Sequence, residues 1–88
     1  MLIFPSVVTQ AQALGVAREL NAQVDTQGAT VVIDASRLEQ FDSSALAVML
    51  ACRRQAIAAG KSFAVQGLPS KLSQLAGLYG VAQLMPSA

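Results

Sequence analysis

Histidine and tryptophan are absent, and cysteine and tyrosine occur once each. Without histidine the commonest general base is gone, together with Ser-His and Cys-His nucleophile pairs and most transition-metal sites. The lone Cys52 cannot close an internal disulfide, and with no second cysteine or histidine beside it a zinc site is disfavoured; it reads as a small buried hydrophobe. Charge is scarce at 12% of residues, against roughly 25% in an average soluble domain. Hydrophobic residues make up 53%, and mean hydropathy is +0.49. So little charge leaves part of the surface apolar and implies a substantial interface. Net charge is only +1 and the cations are scattered, Arg53-Arg54 being the one adjacent pair. The basic stripe that nucleic acid or an anionic bilayer surface would require is missing. The glycines are dispersed as turn and cap residues, so there is no phosphate loop. No reach supplies the ~20 apolar residues of a membrane span, and the N-terminus lacks the organisation of a signal peptide. A cytoplasmic location is expected, without direct membrane insertion.

What is present is an 88-residue chain, the size of one domain with a core of limited depth. Its centre is Thr30 to Leu50. Thr30-Val31-Val32-Ile33 ends at Asp34 and reads as a short strand with both faces buried, since nothing polar alternates through it. A loop follows, Phe41 returns to the core, and Asp42-Ser43-Ser44 supplies acceptors for the free N–H groups of a first helical turn. From Ala45 to Cys52 no side chain is polar. A helix with one stripe on a sheet should be polar elsewhere, so the surplus apolar face calls for a second partner.

Before this centre, Leu2-Ile3-Phe4 and Val7-Val8 are strand material interrupted by Pro5, which suits an edge strand or a strand end. Thr9 and Gln12 fit a capping box. The helix they open puts Ala13, Val16, Ala17, Leu20 and Val24 on one face, with Gln10, Arg18, Asn21 and Gln23 turned to water. After the centre, Gly60 suits a left-handed cap, and Phe63-Ala64-Val65 forms another strand. Pro69-Ser70 starts a last helix with Leu72, Leu75, Ala76 and Tyr79 on one face, ending at Gly80. The alternation of strand and helix predicts an α/β domain with a mainly parallel sheet.

The turn Asp42-Ser43-Ser44-Ala45-Leu46, preceded by a strand ending at Asp34 and by Phe41, resembles the central motif of STAS domains, the fold of bacterial anti-sigma-factor antagonists and of sulphate-transporter tails. Ala45 stands where the family usually has glycine. Gly67 to Leu72 and Leu75 through Val81 to Leu84 are more similar to one branch, the cytosolic STAS subunit of the Mla-type ABC complex that moves phospholipid in the Gram-negative envelope. The resemblance covers most of the chain after Val7. It implies a single small STAS domain over residues 1–88 whose N-terminal strand region is shortened, leaving a sheet edge open to pair two copies.

The same resemblance implies a non-catalytic accessory subunit without cofactor. Such a subunit binds the cytosolic ATPase of the transporter, touches the permease only indirectly, and stays peripheral to the inner membrane through its partner. The expected docking residues are Asp42, Ser43, Ser44, Ala45, Leu46, Val48, Met49 and Tyr79. The alternative is an anti-sigma-factor antagonist switched by phosphorylation, with the acceptor at Ser44 in the antagonist branch and a small hydroxyl residue at Ser43 in the Mla-like one. A carboxylate-based enzyme would have to use Asp34 and Asp42, with Mg²⁺ between them. Capping accounts for both carboxylates more simply, because no third ligand accompanies them.

Overall fold

The computed structural model describes residues 1–88. In chain order the elements are β1 (Leu2–Ile3), β2 (Val7–Val8), α1 (Gln10–Gln23), β3 (Thr30–Asp34), β4 (Gln40–Phe41), α2 (Ser44–Ala58), β5 (Ser62–Gln66) and α3 (Ser70–Leu78), with short 3₁₀ turns at Val24–Thr26 and Ala82–Leu84. All pairings are parallel. The main sheet has the order β1-β3-β5, and β2 pairs with β4 in a separate two-stranded sheet. The expected α/β class and parallel sheet are observed.

Pro5 accounts for the N-terminal arrangement. It cannot donate to a ladder, so the chain leaves the main sheet after Phe4, whose N–H still donates to the Asp34 carbonyl at 2.9 Å, and re-enters strand geometry at Val7 in a different sheet. Two short strands therefore stand where one was expected. The free edge of β1 offers only Leu2 and Ile3. The opposite edge of the sheet is covered by the last residues: the Val65 N–H donates to the Pro86 carbonyl at 2.8 Å and the Ala88 N–H to the Val65 carbonyl at 3.0 Å.

The sheet has one buried face and one open one. The connections β1-α1-β3 and β3-α2-β5 step in the same direction, and right-handed crossovers then put both helices on the same side. Leu2, Val31, Ile33, Phe63 and Val65 point into this side and form the core with Leu20, Val24, Leu46, Val48, Met49, Cys52, Leu72 and Met85. On the other side the register aligns Ile3, Asp34 and Gln66 in one row, Val32 with Ala64 in the next, and Thr30 with Ser62 in the third. The Thr30 and Ser62 hydroxyls are 2.8 Å apart. Strand β3 is thus buried on one face only, with Val32 half-buried. Alternation exists, but an apolar residue occupies an outward position and hides it.

Helix α1 starts at the predicted capping box, where the Gln12 side-chain oxygen accepts from the Thr9 N–H at 3.0 Å. Its expected inner face packs on the core. Asn21 departs from expectation: it is half-buried, and its Oδ1 is enclosed without a hydrogen-bond partner. Helix α2 ends at Gly60, whose φ of 75° lets the Lys61 N–H reach back to the Ala56 carbonyl at 2.9 Å. Gly67 is required for a second reason: a Cβ there would stand 2.8 Å from Cβ of Ser36, at a φ of 69°. No larger residue lets the loops after β3 and β5 approach this closely. No helix is long and apolar enough to cross a membrane.

Candidate functional site

The start of α2 is positioned by the small sheet. The register of β2 on β4 pairs Val8 with Phe41, so the residues that follow each strand, Thr9-Gln10 and Asp42-Ser43, emerge side by side. Helices α1 and α2 therefore begin next to one another, and Asp42 binds both. One carboxylate oxygen accepts from the Ser44 N–H at 2.8 Å and the other from the Gln10 N–H at 3.1 Å. The Ser44 N–H, with the Gln10 N–H adding to it, holds the Asp42 carboxyl below its usual range. Asp42 is a shared cap for two helix N-termini, where a negative charge also suits both dipoles.

Ser43 is exposed and Ser44 half-buried. The next residues go inward. Ala45, Leu46, Val48 and Met49 are between 0% and 2% exposed, so these four, expected on the docking face, have no surface to present. Their cover comes from within the chain: α1 packs along one side of α2, and Leu72 and Ala76 of α3, Met85 and the sheet join the same core. Ala45 at the position usual for glycine is fully buried.

What α2 shows to solvent is a different stripe. Ala47, Leu50, Arg53 and Arg54, joined by Leu84 from the 3₁₀ turn, line a shallow groove of about 420 Å³. A second groove of about 400 Å³ is lined by Phe41 and by Lys71, Gln74, Leu75 and Leu78 of α3. The spacing in each helix, three or four residues between lining positions, is that of one helical stripe. Leu78 is 82% exposed and Tyr79 60% exposed. Tyr79 therefore leaves the inner face on which the sequence periodicity placed it and lies on the surface, because α3 ends at Leu78. Leu78 was not singled out from the sequence; Ala47 and Leu50 fell within the apolar run Ala45 to Cys52 but were not among the expected docking residues. The spacing Lys71, Gln74, Leu75, Leu78 was the available signal, since Leu72 and Ala76 alone suffice to seat α3 on the core.

The two candidate carboxylates are each engaged locally, Asp42 by the two helix starts and Asp34 by its loop. Asp34 is bound in its own loop, accepting from the Ser36 N–H at 3.0 Å. The Ser36 side chain, then that N–H, hold its carboxyl below the usual range. No three His, Cys, Asp or Glu side chains converge anywhere in the molecule. Cys52 is fully buried, and burial pushes its thiol up to about 11, which keeps it protonated and unreactive near neutral pH.

Comparison with protein families gives one finding. The family model described as Mlab, STAS domain matches residues 6–86, from just before β2 to the segment that covers β5. No curated protein matches the chain.

Proposed function

We propose, for a chain that belongs to the Mlab-type STAS family, that it is a non-catalytic accessory subunit which binds the cytosolic ATPase of a phospholipid-transporting ABC complex and supports its assembly and activity. The observation that carries this reading is the match of the family model from residue 6 to residue 86. STAS domains are generally binding and regulatory, not catalytic. The permease is reached only through the ATPase, and the subunit is held at the inner membrane by the same contact.

The docking surface is assigned to the outer stripes: exposed Ala47 and half-buried Leu50 of α2, half-buried Leu75 and exposed Leu78 of α3, with Ser43 and Tyr79 at its margins. A standard interface takes roughly 800 Å² from each partner, about a sixth of the 4864 Å² surface of this chain. Binding would hold the ATPase in the form that assembles. Pairing of two copies along β1 would engage only Leu2 and Ile3, so the main contact is assigned to the helices. The test is co-purification of the tagged protein from its host, followed by binding of the purified pair. Recovery of an ABC ATPase with its permease is expected; absence of any ABC ATPase removes the reading.

The second reading, a phosphorylation-switched antagonist, is favoured by one observation, the exposed Ser43 hydroxyl at the start of α2. Ser44 is a poorer acceptor. Its N–H is held by Asp42, and a phosphate of about −1.5 to −2 charge would stand beside that carboxylate. Equal phosphate incorporation into wild type and Ser43→Ala by host kinases would remove Ser43 from this role.

A further inference from the structure

Carboxylates and cations are segregated along this chain. Residues Met1 to Asp42 hold all five carboxylates and two cations, formally −3; Ser43 to Ala88 hold four cations and no carboxylate, formally +4. The fold sets three of these cations at two separate grooves. Lys61 is occupied by the carbonyls of Gln27 and Asp25. The other three cations of the second part, Arg53, Arg54 and Lys71, all line the two apolar grooves, and no carboxylate lines either one. Leu50, Leu84 and Leu75 are half-buried and Leu78 is exposed, so each groove joins at least partly uncovered leucine to guanidinium or ammonium with no carboxylate in its lining.

We infer that each groove seats an acidic amphipathic helical segment of the partner, one with its leucine-like stripe against Leu50 and Leu84 and its carboxylates beside Arg53 and Arg54, the other against Leu75 and Leu78 beside Lys71. This rests on the docking reading above and adds the chemistry of the partner. A helix suits grooves lined by helical stripes, and the charges give orientation and partner choice more than raw affinity. A bilayer surface fits less well. Polybasic membrane segments use about four to eight cations, where this surface has three, and they are set in concave grooves.

Two synthetic peptides of about 18 residues, or five helical turns, test it. They share one leucine stripe, flanked by Glu in one and by Gln in the other. The Glu peptide is expected to bind the full chain roughly tenfold more tightly at low salt. That preference should vanish in Arg53→Gln/Arg54→Gln/Lys71→Gln, whose fold is checked by circular dichroism, and in ~1 M salt, where the screening length is about 3 Å. Equal binding of the two peptides overturns the inference. So does binding to phosphatidylglycerol vesicles that the triple substitution abolishes, which would make the surface a lipid-binding one. Preference for the Glu peptide without any ATPase binding upholds the acidic partner and removes the ATPase. ATPase binding that the triple substitution leaves unchanged does the reverse.

Discussion

Helices α1 and α2 lie side by side, start at the same carboxylate and have nearly equal lengths of 14 and 15 residues, yet they do different work. Helix α1 buries Leu20 alone, with Ala13, Val16 and Ala17 partly covered. Helix α2 buries Ala45, Leu46, Val48, Met49, Cys52 and Ala56. The difference follows from position. Helix α1 touches the body on one side, so its sequence is amphipathic in the ordinary way. Helix α2 is enclosed by α1, the Val24–Thr26 turn and strands β3 and β5, so several of its faces are interior. An apolar run that looked like surplus surface is for the most part core.

The largest effect that would break this comparison is expected inside α2. Met49→Ala removes a fully buried side chain and should destabilise by about 2–5 kcal/mol, read from urea denaturation. Ala47→Ser, two residues earlier and exposed, should stay within about 0.5 kcal/mol of wild type. Similar losses at the two sites would mean that α2 is not enclosed as described and that its apolar run faces a partner after all.

How far the sequence could go depended on what kind of signal each feature leaves. Class, parallel pairing, the capping box of α1 and the cap at Gly60 were legible, because each rests on local spacing or on one residue type whose backbone geometry is special. The split of the N-terminal strand into two sheets was half legible, since Pro5 marks a break without saying where the chain goes next. The enclosure of α2 was not legible. It depends on how α1, the turn after it and the sheet pack against the helix, and composition cannot tell an apolar face covered by its own chain from one covered by another protein. The cation-lined grooves lay between these cases. The lack of any carboxylate after Asp42 is plain in the sequence, but the placing of Arg53, Arg54 and Lys71 beside apolar grooves needs the fold.

The shared cap sharpens the comparison at a smaller scale. Asp42→Ala removes the acceptor for both helix starts, so melting should fall by a few degrees. Asp42→Asn, with a single acceptor oxygen where the carboxylate has two, should fall between wild type and alanine. The carboxyl is held below 3.8 in the folded state, so its contribution is complete above about pH 4 and is lost as the pH falls through the folded value. Wild type and Asp42→Ala should therefore converge in stability in acid. A gap that persists at a pH low enough to protonate the folded carboxyl would assign the effect to packing and remove the charge from the account.

The smallest expected effect on stability carries the most about function. Leu72 and Leu78 sit in the same helix, one fully buried and the other 82% exposed. Leu72→Ser should destabilise by several kcal/mol, from cavity and buried hydroxyl together. Leu78→Ser should leave stability within about 0.5 kcal/mol, or raise solubility, because a leucine so placed gains nothing in the isolated chain. If α3 supplies part of the docking surface, the same change should weaken binding of the ATPase by about tenfold, as loss of a central apolar anchor commonly does. A Leu78→Ser protein with native stability and native ATPase affinity would return the docking surface to α2 alone, where Leu50 and Ala47 would have to supply it. Loss of affinity at unchanged stability would show that the two helices act together, α2 mainly as core and α3 as the face that meets the partner.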